Sequence, residues 1–231
     1  LLQWENDKFC DTLRVLALAT TRGDDPEIRA RAASNLESAA MSADDVQYDG
    51  PPIGWRAAEM HIRDRIASET VSITEHNTPD RLIEEIIDHL IVALDDIDQY
   101  TRRKAIDAIS RISNKFDHRR EEVISILVNI LYNDDTDVRQ AAAEGIGIIA
   151  RNRNAGYRDL TNKLYKALND EEPQVRVSVI RALGEFNYRT TEWADDILPI
   201  LLSVAANDDD SSVRKAAIEE SKKYLAPETS D

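Results

Sequence analysis

The apolar positions of this chain fall at helical spacing over most of its length. The clearest stretch holds Leu82, Ile83, Ile86, Ile87, Leu90, Ile91 and Leu94, which together line one wide face of a helix. Spacing of this kind predicts helices over 3–21 and 26–42, 53–74, 79–94 and 98–113, 119–132 and 136–150, 157–168 and 173–187, and 192–206 and 211–225. Only seven Gly and seven Pro occur in 231 residues, which disfavours sheets with many tight turns and favours long helices.

Five short segments recur between these helices: Gly23 to Arg29, Asp96 to Arg102, Asn133 to Arg139, Asp170 to Arg176 and Asp208 to Arg214. Three residues beyond each arginine stands a small or β-branched residue, namely Ala32, Ala105, Ala142, Val179 and Ala217. Seven beyond it, Leu36, Ile109, Ile146 and Leu183 are apolar, and Ser221 breaks the pattern. The steps between arginines are 73, 37, 37 and 38 residues. Since 73 is nearly twice 37, one degenerate unit is expected between Arg29 and Arg102.

Each unit reads as two helices joined by an acidic turn. Asp and Asn in the turn can accept hydrogen bonds from the free N–H groups of the second helix and complement its positive end. Pro26 and Pro173 stand near the start of such helices, where a missing N–H costs nothing. Small residues in the second helix, such as Ala105 with Ala108 or Ala142 with Gly145, suit close helix approach. One pair cannot bury its own apolar face, but stacked neighbours can. The expected fold is therefore all-α: a solenoid of about six helix pairs over 1–226, followed by a disordered tail at 227–231. The second unit, 44–78, departs from the pattern. It opens on the turn-rich Asp49-Gly50-Pro51-Pro52, predicting a projecting loop over 44–52, and continues as a helical run with Trp55, Ala58, Ile62, Ile66 and Ile73 on one side.

An acidic turn, Val-Arg, Ala three on and Leu or Ile seven on, at a period near 37, resembles the short, lyase-like type of HEAT repeat over 3–43 and 79–226. The resemblance implies an α-α superhelix whose second helices line a concave surface that holds partners. It also implies that the recurring arginine lies between units and bonds to acids or carbonyls of its own or the next turn. Some similar proteins are hydroxylases holding iron with His-Glu dipeptides, and others are lyases attaching a bilin pigment. This chain has no His-Glu step, and no residue in it carries the lyase role over.

Charge changes the picture next. Forty-four acids against 29 bases leave a net −15, which argues against a general binder of phosphate backbones. The 26 Asp and 18 Glu face 21 Arg and only eight Lys, a balance resembling that of proteins from salt-loving archaea, where carboxylates hold water at the surface. A binder of basic partners is the competing reading. No apolar run approaches the ~20 residues of a membrane-spanning helix. The single cysteine, Cys10, cannot pair within the chain and fits a reducing cytoplasm.

Three surfaces invite a functional reading. On the concave face, positions one, two and five beyond the arginines point outward: Arg103, Lys104 and Asp107; Gln140, Ala141 and Glu144; Val177, Ser178 and Arg181; Lys215, Ala216 and Glu219. The connections between pairs carry a basic edge of Arg111, Lys115, Arg119, Arg120, Arg151, Arg153 and Arg158, which helix dipoles favour without any function. The loop with Tyr48, Pro51, Pro52 and Trp55 is the third. His61, His76, His89 and His118 share no metal-binding spacing, and no catalytic residue, cofactor or metal is expected. Gly145-Ile146-Gly147 lies inside a helix and reads as close packing rather than a phosphate loop. The reading favoured is a scaffold for a protein or peptide. Alternatives are an enzyme-accessory protein presenting a modified or small-molecule-bearing partner, and a nucleic-acid binder along the basic edge.

Overall fold

The computed structural model describes residues 18–42, 79–116, 119–151, 158–186 and 191–225, and every regular element among them is helical. The helices are α1 (Pro26–Ser42), α2 (Pro79–Ala93), α3 (Gln99–Phe116), α4 (Arg120–Asn133), α5 (Thr136–Ala150), α6 (Arg158–Ala167), α7 (Pro173–Gly184), α8 (Thr191–Asn207) and α9 (Ser211–Leu225). This is the all-α helix-pair repeat that the sequence predicts, with element bounds within three residues of those expected. Where α7 ends early, at Gly184, the N–H of Glu185 turns back to the Arg181 and Ala182 carbonyls. Of the helix expected over 3–21, residues 18–22 are described and helical; its earlier part, the helix expected over 53–74, the 44–52 loop and the 227–231 tail lie outside the described residues.

The chain divides into two compact units, Leu1–His118 and Arg119–Asp231. In the first, α2 and α3 form a pair and α1 lies directly against α3. Its core is Ala30, Ala33 and Leu36 from α1, Ile86, Ile87 and Leu90 from α2, and Ile106, Ile109 and Ile112 from α3. α1 and α3 are thus neighbours although 73 residues separate Arg29 from Arg102, and residues 43–78, where a degenerate unit is expected, lie outside the described residues.

In the second unit the pairs are α4 with α5, α6 with α7, and α8 with α9, and the second helices α5, α7 and α9 pack side by side. Their buried faces carry Val138, Ile146 and Ile149, then Val175, Val179 and Leu183, then Val213 and Ala217. Gly147 shows why small residues recur there. A Cβ on it would lie 3.0 Å from the Ala182 Cα, so α5 and α7 approach backbone to backbone at that point.

Candidate functional site

The recurring arginines could form an anion-binding row, and their hydrogen bonds decide against it. Arg139 donates through Nε and Nη2 to both carboxylate oxygens of Asp170, at 2.8 and 2.9 Å, and Arg176 does the same to Asp208 at 3.0 and 2.8 Å. Arg29 makes the equivalent fork on Asp96, with Nη2 to Oδ1 at 2.8 Å. Nη1 meanwhile turns back to the arginine's own turn: to Gly23 O from Arg29, Asp134 O from Arg139 and Asp170 O from Arg176. The planar guanidinium suits this double task because its donors point along fixed directions. Each accepting aspartate also closes its own turn, Oδ1 taking the N–H two residues on: Asp98, Glu172 and Asp210 at 2.8, 2.9 and 2.9 Å. Arg29, Arg139 and Arg176 are therefore consumed in a ladder between neighbouring turns, while Arg102 and Arg214 donate to carbonyls of their own turns.

Burial works to raise the pKa of Asp96 and Asp208, but the Arg29 and Arg176 forks and the backbone N–H bonds outweigh it and hold both below the ordinary value. The same bonds raise the pKa of Arg29, Arg139 and Arg176.

Beyond the ladder, the second helices of the Arg119–Asp231 unit present a polar stripe. Glu144, Arg181, Lys215 and Glu219 are exposed, while Gln140, Ala141, Val177 and Ile148 are half-buried. Gln140 Nε2 donates to Glu144 Oε1 at 2.9 Å, and Lys215 lies 3.9 Å from Glu219. Two residues expected to point outward do not. Ser178 is 1% exposed and donates to Glu144 Oε1 at 3.1 Å, and Ala216 is buried. Both sit two residues beyond an arginine, and the Ser178 hydroxyl faces α5, where it meets Glu144. In the Leu1–His118 unit, Arg103 is exposed and Lys104 and Asp107 are half-buried, with the Lys104 ammonium 5.5 Å from the Tyr100 ring centre.

Three arginines of the basic edge are paired with carboxylates. Arg111 pairs with Asp107 at 3.0 Å and Glu37 at 3.2 Å, Arg119 with Glu122 at 2.7 Å, and Arg151 with Glu185 at 2.7 Å. Lys115 lies 5.1 Å from the Phe116 ring centre, and Arg120 is half-buried at the start of α4. Arg153, the side chain of Arg158, and the Tyr48–Trp55 loop lie outside the described residues.

Two networks escaped the sequence reading. Glu37 of α1 reaches Arg111 of α3, and burial, reinforced by Asp107, raises the Glu37 pKa against the pull of Arg111 and Lys104. At the ends of α5, α7 and α9, Glu185 joins Arg151 to Lys223, 3.8 Å away, and Lys223 also meets Glu220 at 2.6 Å. Their only sequence signal is acids and bases spaced about one repeat apart, or two for Glu37 and Arg111, on different helices. Among the described residues no group of three or more His, Cys, Asp or Glu is placed to hold a metal ion, and no helix is long and apolar enough to cross a membrane.

The family model described as the Adaptin N terminal region matches residues 61–226. Similar solved structures include an engineered protein at 20% identity, covering 93% of this chain and 97% of that one with a TM-score of 0.48. Another is a computationally designed armadillo repeat protein for modular peptide recognition, at 19% identity, 91% and 92% coverage and a TM-score of 0.46. A third is a designed armadillo repeat protein in complex with the peptide (KR)4, at 19% identity, 94% and 92% coverage and a TM-score of 0.49. No curated protein matches the chain.

Proposed function

The chain belongs to the Adaptin N terminal region family, and from that premise we propose that it is a binding scaffold for a protein or peptide, gripped along its row of second helices. The observation that carries this reading is a division of labour within α5 and α7. Arg139 and Arg176 are spent on the ladder, whereas Glu144 and Arg181 on the same helices, with Lys215 and Glu219 on α9, are exposed on helices that the ladder and core hold in place. Long charged side chains on a rigid support lose little order on binding and can select a partner by charge. Asp107 and Arg103 offer the same chemistry on α3.

The reading is for binding rather than catalysis. The acidic, lysine-poor surface is, on this view, an adaptation to high salt in a cytoplasmic protein, and the partner is selected by the local stripe rather than by net charge. Capture from native lysate at high salt, with mass spectrometry of the bound fraction, tests the scaffold. One protein should be enriched by the wild type and lost with Glu144→Lys combined with Arg181→Glu, while circular dichroism shows the variant folded. Equal capture by the variant would sink the assignment of the surface.

A further inference from the structure

We propose that the charged row across α5, α7 and α9 receives an extended segment of a partner protein in the polyproline II conformation, carrying a basic, an acidic and a basic residue at three-residue spacing. This deepens the scaffold reading given above and rests on it.

Five residues beyond the recurring arginine stand Glu144 on α5, Arg181 on α7 and Glu219 on α9, all of them exposed. The three helices lie side by side, and near their C-terminal ends ion pairs cross from one to the next. Arg151, just past α5, reaches Glu185 at 2.7 Å, and Glu185 lies 3.8 Å from Lys223 of α9. One row earlier the charges alternate in the same way and do not pair across the helices. Arg181, with an acid on either side, forms an ion pair with neither Glu144 nor Glu219. The acids turn to local partners instead. Glu144 accepts through Oε1 from Gln140 and Ser178, at 2.9 and 3.1 Å, and Glu219 lies 3.9 Å from Lys215. Glu144 Oε2 takes no hydrogen bond among the described residues. A partner complementary to this row presents base, acid and base in that order.

Spacing and polarity decide the conformation. Ser178 meets Glu144, and a Cβ on Gly147 would meet Ala182, so level positions on α7 come three or two residues earlier in the register than on α5. Equivalent residues of neighbouring helices are then offset by about 3–4.5 Å along the axis and about 8–10 Å across it, or about 9–11 Å in all. Polyproline II has three residues per turn and rises about 3.1 Å per residue, so side chains three apart share one face at about 9.3 Å. A β-strand returns to one face at about 6.7 Å, which falls short, and next at about 13 Å, which overshoots. An α-helix returns after seven residues, about 10.5 Å, but a docking helix needs an apolar groove for its apolar face. Positions one and five beyond the arginine offer a single apolar residue on these helices, the half-buried Val177. Within the 231 residues the base-acid-base spacing occurs once, at Lys8, Asp11 and Arg14, inside the helix expected over 3–21. On a helix those three would rise only about 4.5 Å per step.

The test uses the full chain and labelled peptides, read by fluorescence anisotropy at the lowest KCl concentration at which circular dichroism shows the chain folded. The peptide Arg-Pro-Pro-Glu-Pro-Pro-Arg should bind saturably. It should bind at least ~5-fold more tightly than Arg-Glu-Pro-Pro-Pro-Pro-Arg, which has the same composition in another register. A helical peptide holding the same three charges seven residues apart should also bind more weakly. Arg181→Glu should weaken the first peptide at least ~5-fold, since a like-charge pair replaces an opposite one. Exchanging the central Glu of the peptide for Arg should restore binding to that variant, which also shows the variant folded. The proposal is overturned by no binding up to ~1 mM, by equal binding of the two registers, by tighter binding of the helical peptide, or by a loss in Arg181→Glu that the exchanged peptide does not restore. Capture from lysate separates this proposal from the reading beneath it. If capture depends on Glu144 and Arg181 while the peptides fail, the extended segment alone is wrong; if capture is indifferent to both residues, the surface falls with it.

Discussion

Replacing Arg176 with alanine should be among the most damaging single changes in the chain. The Arg176 and Asp208 side chains are 8% and 10% exposed, and the guanidinium spends its donors on Asp208, Asp209 and the Asp170 and Glu171 carbonyls. Truncation leaves the Asp208 carboxylate largely out of water with only the Asp210 N–H for company, and strips two carbonyls of the preceding turn. Losing one partner of a buried pair typically costs ~3–5 kcal/mol, against ~0.2–1 kcal/mol for an exposed pair. Arg31 with Glu27 is the internal control, an i,i+4 pair with side chains 73% and 64% exposed. Urea unfolding should therefore show Arg176→Ala losing several-fold more stability than Arg31→Ala at an unchanged m-value, and heating should show a fall in Tm of about 6–20 °C. Asp208→Asn separates the parts of the effect. Its amide oxygen can still close the turn onto Asp210, so a loss approaching that of Arg176→Ala assigns the cost to the ion pair. Equal stability of Arg176→Ala and Arg31→Ala would refute the claim that the ladder holds neighbouring helix pairs together.

The remaining expectations are briefer. Asp96 and Asp208 titrate below the ordinary carboxylate value of ~3.9, so their contribution is complete above that value and disappears as pH falls through the lower folded value. An acid titration of stability should accordingly be steep below about pH 4 in the wild type and shallower in Asp208→Asn. With a net charge of −15, Tm should climb as KCl rises from ~0.1 to ~3 M because screening relieves self-repulsion; a flat profile in calorimetry would remove the high-salt reading. Gly147→Val should cost ~1–3 kcal/mol by overpacking, since the new Cβ meets the Ala182 backbone at 3.0 Å. Gly184→Ala should cost less in the same urea assay, because the atoms it meets belong to the flexible Glu220 side chain.

The helices were legible because their apolar periodicity and acidic starts are local properties, and the ladder was legible because its residues recur at a fixed interval. The expected bonding of Arg139 and Arg176 between units is what Asp170 and Asp208 provide. What sequence could not supply was which chemically similar positions would be covered. Ser178 and Lys215 differ by only one residue in repeat register, yet the first is buried under its neighbour and the second is exposed. Glu37 with Arg111, and Glu185 with Arg151 and Lys223, escaped for a related reason: a pair between helices depends on how far one helix is rotated against the next, and no spacing within either helix records that angle.

On the proposed scaffold reading, comparing the units with one another also narrows the kind of partner expected. Positions answerable to the fold must repeat, since each helix pair meets a neighbour of the same kind, and the ladder arginine accordingly stands in all five segments. Five residues beyond it the chain reads Ser34, Asp107, Glu144, Arg181 and Glu219, and one residue beyond it Ala30, Arg103, Gln140, Val177 and Lys215. Neither series keeps one sign of charge. A surface built for a uniform polyelectrolyte, such as a run of basic residues or a phosphate backbone, would present the same charge at each step. The reversal at Arg181, flanked by Glu144 and Glu219 on the adjoining helices, instead fits a partner of mixed charge that can engage in one register only.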